Sequence, residues 1–357
     1  MEFDTYHFFA RSNTAHGCVT FLNEHHKQTD DWRIVLIKSG FGGASSALMR
    51  TVMESCQSAG EKTSPEWDAP GRERICALRL PERKLLLADA EHPFAADVRL
   101  PGAREELFSL DLCRDNAQLR AKREKIHSLH CAWLESINRA SRFLRAAKAM
   151  KRDIGFAAKD STDFSKMEHF ASRMAHKHLP PPNGCIGEET KRFLTSVSGH
   201  GLLLRRSAIP DLCPHIVTME DDYGIAAPVV WGLMRAYAIG NGLDVIVCPC
   251  LLDPFGSPEH LLIPTIGLAC ITANKRHPID FDHAQHVQAS RFYQKEDLRS
   301  HKCRIAFCRR SMRELLAEAY ASQAQAEDAK RELDVVYAQA TDFACVERMG
   351  KKLIDHG

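Results

Sequence analysis

The sequence predicts an α/β protein of two tandem domains, each with a mainly parallel sheet, flanking helices and a long helical region. Two observations carry this prediction. Short apolar runs alternate with helical patterns along the 357 residues, which is typical of parallel sheets joined by crossover helices. A set of landmarks also recurs in the same order in both halves, which indicates an internal duplication.

The repeated landmarks are apolar strands, glycines and short motifs separated by a nearly constant offset. His16-Gly17 recurs at His200-Gly201, and Thr-Asp-Phe at 162–164 recurs at 341–343. The other matched pairs lie between these in order: RIVLI at 33–37 with HIVTM at 215–219, Gly42 with Gly224, Gly60 with Gly242, Leu80-Pro81 with Ile263-Pro264, LLLAD at 85–89 with GLACIT at 267–272, and His92-Pro93 with His277-Pro278. Because the order is kept throughout, duplication explains the matches better than chance.

A connector rich in proline separates the two halves. Residues 176–189 read HKHLPPPNGCIGEE, and three consecutive prolines followed by Asn-Gly cannot continue a helix. We therefore expect a first domain over 1–178 and a second domain over 179–357, with Gly42 and Gly224 at equivalent places.

A long helix is predicted over 115–150. Apolar residues follow spacings of three and four there and form one stripe: Ile126, Leu129, Trp133, Ile137, Ala140 and Leu144. Two interpretations stay open. The helix forms an arm or a lid, or it packs on its own domain or on its repeat partner.

The loop at 39–46 lies between the apolar strand at 33–37 and a helix. This layout is that of a phosphate-binding loop, whose pattern is Gly-x4-Gly-Lys-Ser/Thr. On that pattern Ser39 and Ala44 replace the two glycines, and Ser45 replaces the lysine. The loop keeps three glycines and the hydroxyl, Gly40, Gly42, Gly43 and Ser46. We interpret it as a partly degenerate phosphate-binding loop.

Asp89 closes the strand LLLAD and stands where a carboxylate often helps to hold Mg²⁺ in such folds. The alternative, a strand-end aspartate that caps a turn, is equally compatible with the sequence. The sequence thus predicts weak binding of ATP with Mg²⁺ at most, and Ser46 and Asp89 are the candidate metal ligands. The candidate nucleotide-binding residues are Gly40, Gly42, Gly43, Ser45, Ser46 and Asp89.

The second loop, at 221–228, has departed further from the pattern. Ala227 stands at the lysine position and Pro228 at the hydroxyl position. Glu220, Asp221 and Asp222 add negative charge where a polyphosphate would lie. Thr272 takes the place of Asp89. We expect repulsion to prevent phosphate binding here, so that any nucleotide affinity lies in the first half.

Four segments together resemble a poorly characterised bacterial family of tandem P-loop ATPase-like proteins: HFFARSNTAHG, IKSGFGGASSALM, ADAEHPFAADVRLPGAREE and the closing TDF helix. The family's loop reads like KGGPGTGKST, and its lysine matches Ser45 in the first half and Ala227 in the second. The matched stretch after the central strand includes Asp97 and Pro101-Gly102. The resemblance implies two P-loop NTPase-like domains and an ancestral ATP site, and it implies no particular substrate.

Charge and composition limit the classes of binding partner that we expect. A net charge of +2 gives no overall attraction to nucleic acid or acidic membranes. The N-terminus lacks a signal peptide and no run is apolar enough to span a bilayer, so we expect a cytoplasmic protein. The basic run at 139–152 is interpreted as a solvated helix face rather than a nucleic-acid surface.

Cysteines such as Cys76, Cys131, Cys248 and Cys270 are interpreted as buried reduced thiols, and Cys248-Pro-Cys250 as core thiols rather than a metal site.

No catalytic residue can be assigned from these patterns. The favoured function is a pseudo-ATPase that binds nucleotide weakly or not at all and acts through contacts with an unknown protein partner. The alternative is an active ATPase or nucleotide-dependent kinase that uses substitute residues in the first domain.

Overall fold

A computed structural model describes residues 8–22, 31–68, 74–93, 98, 100–274 and 279–355. It is a mixed α/β structure with two larger sheets, two small hairpins and several long helices. Each larger sheet contains both parallel and antiparallel strand pairs. The predicted α/β class is thus confirmed.

The first half supplies one hairpin, one sheet and four helices in its described residues. In chain order they are β1 (Arg11–Thr14), β2 (Gly17–Thr20), β3 (Arg33–Lys38), α1 (Ala44–Ser58), β4 (Ser64–Trp67), β5 (Ile75–Leu80), β6 (Leu85–Asp89), β7 (Glu105–Ser109), α2 (Asn116–Ala121), α3 (Arg123–Lys159) and α4 (Phe164–His178). The sheet order is β4-β5-β6-β3-β7. The apolar centre of β3 is buried on both faces, as expected for the middle of a covered sheet.

The second half repeats this series. Its described elements are β8 (Glu189–Lys191), β9 (Thr195–Ser198), β10 (Gly201–Leu204), α5 (Ala208–Leu212), β11 (His215–Glu220), α6 (Ala226–Gly240), β12 (Val245–Cys250), β13 (Asp253–Ile263), β14 (Leu268–Ala273), β15 (Gln285–Gln288), α7 (Lys295–Ser300), α8 (Lys302–Gln339) and α9 (Phe343–Asp355). The sheet order is β15-β11-β14-β13-β12-β8.

Five strands of each sheet correspond in order and in direction. The central strand β3 pairs in parallel with β6 and β7, and β11 pairs in parallel with β14 and β15. The register also repeats, because Ile37 lies opposite Asp89 and Met219 lies opposite Thr272. Asp89 and Thr272 therefore hold equivalent positions beside the two loops.

The sheets are mixed, whereas the sequence pattern predicted mainly parallel strands. β5 is antiparallel to both of its neighbours, and so is β13. The reason is the short connection that begins at Leu80-Pro81 in one half and at Ile263-Pro264 in the other. A single turn joins the strands there, and a parallel pair requires a crossover of a dozen residues or more. The run DVIVC, which the sequence pattern assigned to a parallel strand, lies in β12. This strand is antiparallel to β13 on one side and parallel to β8 on the other.

The long helices α3 and α8 lie antiparallel along each other. Lys125 near the start of α3 approaches Glu332 near the end of α8, and Asp153 near the end of α3 binds Arg304 near the start of α8. The predicted apolar stripe lies in this contact, where Trp133 packs in one cluster with residues of α8. The predicted helix over 115–150 is divided into α2 and α3. Packing on the repeat partner is therefore the arrangement found.

The last helix of each half packs against a helix in the core of the other half, α4 on α6 and α9 on α1. Met167 and Ala171 of α4 lie in the core built around α6 and the second sheet. Val346 and Leu353 of α9 lie in the core built around α1 and the first sheet. The sequence ranges 1–178 and 179–357 thus contain the two repeated series of elements, and each core takes a helix from the other range.

The cysteines differ from the sequence-based interpretation at two places. Cys113 and Cys345 form a disulfide with a Cα–Cα distance of 5.4 Å, which links the end of the first sheet to α9. Cys131 is exposed on α3 rather than buried, because it lies away from the apolar stripe. Cys76, Cys248 and Cys270 are buried free thiols, as predicted. Among the described helices, none has the length and apolar character needed to cross a membrane.

Candidate functional site

The first loop turns sharply between β3 and α1 through three glycines. Gly40, Gly42 and Gly43 all have positive φ, at 60°, 92° and 81°. At Gly42 a Cβ atom would lie 2.9 Å from the backbone nitrogen of Ala338 on α8, which is closer than real Cβ contacts. Glycine is required here both for backbone conformation and for the close approach of α8.

The protein's own carboxylates accept hydrogen bonds from the amides of this loop. The N–H groups of Ser39 and Gly40 donate to Oε1 of Glu91, which follows β6. The N–H of Gly42 donates to Oδ1 of Asp334 on α8 at 3.0 Å. Successive backbone amides before a helix form an anion-binding concavity. In this structure the anions are side chains, which we call the carboxylate caps of the first loop, Glu91 and Asp334.

Ser45 and Ser46 are both buried in the first turn of α1. Ser46 Oγ accepts a hydrogen bond from the backbone N–H of Ile75 at 3.0 Å, so the hydroxyl connects α1 to the start of β5. Ser45, at the lysine position of the pattern, lines a small cavity beside the loop. The predicted hydroxyl ligand for Mg²⁺ is thus engaged with the backbone.

Asp89 is buried at the end of β6, in the cavity beside the loop. Its Oδ2 lies 3.3 Å from Arg11 Nη1, and Oδ1 has no hydrogen-bond partner in the described part of the chain. Burial raises the pKa of Asp89 to about 6; Arg11 opposes this shift, and Glu91 and Asp68 add to it. Among the described residues there is no group of three or more His, Cys, Asp or Glu side chains placed to hold a metal ion.

Three cations line the same cavity, and sequence patterns identified none of them. Arg11 and Lys330 both bind Asp68, at 2.9 Å and 2.6 Å. Arg74 binds Asp334 at 2.9 Å. Burial alone would raise the pKa of Asp68, but Arg11 and Lys330 hold it well below its usual range.

Lys330 comes from α8, so the second repeat supplies a cation to the loop of the first. Lys151 stands at the equivalent position of α3 and lines the cavity of the second loop. The spacing between these two lysines equals the spacing between the two Thr-Asp-Phe motifs, which is the sequence signal that singles them out. Lys38, the nearest lysine in sequence to the first loop, donates to the carbonyl of Ala90 instead.

The first cavity is small, and carboxylates outnumber cations in its lining. Its volume is about 40 Å³, room for a few water molecules, whereas ligand sites usually enclose roughly 300–1,000 Å³. Three cations and four carboxylates line it among the described residues: Arg11, Arg74 and Lys330, with Asp68, Asp89, Glu91 and Asp334.

Asp221 caps the second loop from within. Its Oδ1 accepts from the N–H groups of Tyr223 and Gly224 at 3.1 Å and 2.9 Å, and its Oδ2 accepts from Ala227 at 3.0 Å. Tyr293 also donates its hydroxyl to Asp221. The sequence suggested that Asp221 would repel a phosphate, and in the structure its carboxylate holds the amides that a phosphate would use.

The basic run at 139–152 is not one solvated face. Arg145 donates to the carbonyl of Ala15 at 3.1 Å, and Lys148 binds Asp253 at 2.8 Å. Lys151 is half-buried and donates to the sulfur of Cys250. Three of the four arginines of the run are exposed, so it is solvated in part, while its other side chains reach the first hairpin and the second sheet.

Two predicted landmarks, Asp97 and His277-Pro278, lie outside the described residues. Comparisons with protein-family models, with curated proteins and with solved structures found no match to this chain.

Proposed function

We propose that the protein is a non-hydrolysing relative of P-loop NTPases whose phosphate-binding loops are closed by its own carboxylates, and that it acts through protein contacts. The observation that carries the proposal is the capping of the first loop. The amides of Gly40 and Gly42 donate to Glu91 and Asp334 beside a cavity of about 40 Å³.

Electrostatics oppose nucleotide binding at such a loop. A hydrogen bond to a charged group contributes roughly 1.5–3 kcal/mol, and a polyphosphate must displace two such caps before it reaches the amides. The displaced carboxylates would still lie near the phosphates and repel them. Ser45 offers no charge where the motif has lysine, so charge on a transferred phosphoryl group would lack that stabilisation.

One observation favours the alternative of an active NTPase. Lys330 lines the first cavity and brings a positive charge to the loop from the other repeat. For this lysine to replace the missing one, its ammonium group must leave Asp68, which lies 2.6 Å away. The strength of that ion pair makes the non-hydrolysing function the better supported of the two.

Exposed apolar side chains support action through protein contacts. Leu107 is 61% exposed on β7, which pairs with β3 at one edge of the first sheet, and Leu112 just beyond it is 88% exposed. An edge strand offers backbone groups to a partner chain, and neighbouring apolar side chains add area to such a contact.

Calorimetric titration with Mg²⁺–ATP tests the caps. We expect wild-type protein to bind with a dissociation constant of about 1 mM or weaker. The double variant Glu91→Ala/Asp334→Ala frees three loop amides and removes two charges, so its affinity should rise at least about tenfold. Asp328→Ala is the matched control, because Asp328 lies on the same helix and forms an exposed ion pair with Arg331, one turn along α8.

Neither protein should release phosphate from ATP above background. Micromolar binding by wild type, or steady turnover that requires Lys330, would establish the alternative. An unchanged affinity in the double variant, with the variant shown to be folded, would contradict the role given to the caps.

A further inference from the structure

A cavity of about 320 Å³ lies beside the second loop, between α3, α8 and the β12–β13 connection. Its volume is within the usual range for a small-molecule site. Much of its wall is apolar. The apolar side chains come from α3, α8, β10 and the β12–β13 connection: Ile154, Met312, Leu316, Leu202 and Leu252. Its position matches that of the small cavity in the first half, because it borders the equivalent loop.

One substitution between the repeats contributes to the difference in volume between the two cavities. Asp334 reaches the first loop from α8, and Gly155 holds the equivalent position on α3, at the same spacing that relates Lys330 to Lys151. With no side chain at 155, nothing enters the second cavity from the position that Asp334 occupies in the first. A Cβ built on Gly155 would meet only Ile225, at 3.9 Å, so the backbone there accepts a side chain without strain.

Lys151 brings a positive charge to this cavity with weak partners around it. Its Nζ donates to the sulfur of Cys250 at 3.2 Å and lies 4.0 Å from Glu259. The equivalent Lys330 has the carboxylate of Asp68 at 2.6 Å instead. Sulfur accepts hydrogen bonds weakly, and an ammonium has three donors. Lys151 can therefore strengthen its interactions by binding an anionic group.

The charges around the cavity limit how much negative charge a ligand can carry. Asp221, Asp222, Asp253 and Glu259 line it, opposed by Lys148, Lys151 and Arg152. Lys148 is engaged with Asp253, and the loop amides are engaged with Asp221. Because these carboxylates outnumber the cations, a polyphosphate would add several negative charges to an already acidic lining, whereas a monocarboxylate adds one and can place it on Lys151.

We propose that this cavity binds a medium-sized amphipathic monocarboxylate, with its carboxylate on Lys151 and its apolar part against the leucine, isoleucine and methionine side chains. The proposal goes beyond the function proposed above and does not depend on it, because it involves neither the first loop nor its caps.

Calorimetric titration with octanoate, with 1-octanol as the uncharged analogue, tests the site. Wild type should bind octanoate more tightly than 1-octanol. Lys151→Met should weaken octanoate binding by about tenfold to a hundredfold and leave 1-octanol nearly unchanged, because only the carboxylate uses the lysine. Gly155→Asp, which introduces the side chain found at 334 in the first half, should abolish binding of both. Gly155→Ala is the matched control and should retain both.

Circular dichroism and thermal unfolding establish that each variant is folded before titration. Octanoate binding that is absent in wild type, or that is equal in wild type, Lys151→Met and Gly155→Asp, would overturn the proposal. Equal affinity of wild type for octanoate and 1-octanol would overturn the role of Lys151.

Discussion

The two loop sites have the same backbone arrangement and differ in a few side chains, which set the charge and the volume of each cavity. Three exchanges at equivalent positions separate the first site from the second: Asp334 with Gly155, Asp68 with Cys250, and Asp89 with Thr272. Ion pairs fill the cavity of the first site, whereas the second site lacks these three carboxylates and has an open cavity.

The origin of the caps also differs. Glu91 and Asp334 reach the first loop from other elements, whereas Asp221 belongs to the second loop itself. A cap from a distant helix makes the first loop depend on the packing of α8 on α3. The second loop has its cap within itself, and α8 adds a hydrogen bond from Arg309 to the carbonyl of Asp222.

The largest expected effect comes from removing the carboxylate that the two sites do not share. Asp68→Ala removes the common partner of the buried Arg11 and the half-buried Lys330, and should lower the free energy of unfolding by roughly 3–5 kcal/mol. Cys250→Ala, at the equivalent position, removes a weak hydrogen-bond acceptor and should change the free energy of unfolding by less than about 1.5 kcal/mol. Urea unfolding of both variants gives the comparison.

A second mutation verifies that the large effect arises from the ion pairs. In Asp68→Ala/Lys330→Met the buried ammonium is gone, so the double variant should be less destabilised than the sum of the single variants. Strict additivity, or equal effects at Asp68 and Cys250, would show that the two sites do not differ in the way described.

The glycines at matched places should respond unequally. Gly42→Ala forces a residue with a side chain to φ 92° and brings its Cβ to 2.9 Å from the backbone of α8. We therefore expect the free energy of unfolding to fall by roughly 2–4 kcal/mol. At Gly224, with φ 73°, the nearest atom is the flexible end of Lys151 at 3.4 Å, and the loss should be about 1–2 kcal/mol. Thermal unfolding of the two variants provides the measurement, and a larger loss at Gly224 would contradict the packing of α8 on the first loop.

Asp89 should make the free energy of unfolding depend on pH, whereas Thr272, at the equivalent position of the second site, should not. Burial raises its pKa to about 6, so its contribution is fully present below pH of about 4 and is lost as pH rises through 6. Asp89→Asn stays uncharged, and its stability relative to wild type should increase by roughly 1–3 kcal/mol between pH 4 and pH 7. Thr272→Val, at the equivalent position, should show no such change relative to wild type in that range. A flat difference for Asp89→Asn would indicate an ordinary pKa.

Much of the fold could be predicted from local pattern. The buried run at 33–37, the glycines after it and the apolar stripe on α3 all lie where periodicity and turn chemistry indicated. The antiparallel strands β5 and β13 were missed because strand direction depends on the length of a connection, and an apolar run looks alike in both directions. The repeat offset was informative, since it matched Asp89 with Thr272 before the register was known.

The chemistry of the sites was harder to predict, because it depends on long-range contacts. Arg11, Asp68 and Asp334 come from a hairpin, a strand end and a helix far apart in sequence. No short motif joins them, and their meeting depends on α8 packing against α3. The position of Lys151 within a basic run also suggested a solvated side chain, whereas in the structure it is half-buried and contacts Cys250.

Amide hydrogen exchange at the two loops tests most directly whether the protein's own carboxylates cap them. We expect slow exchange at Gly42 and Gly224 in wild type, because each N–H donates to a carboxylate. Asp334→Ala should speed exchange at Gly42 about tenfold or more and leave Gly224 unchanged, and Asp221→Ala should do the reverse. Unchanged protection of Gly42 in a folded Asp334→Ala protein would contradict the capping of the first loop, and with it the proposal that the protein's own carboxylates close that loop to nucleotide.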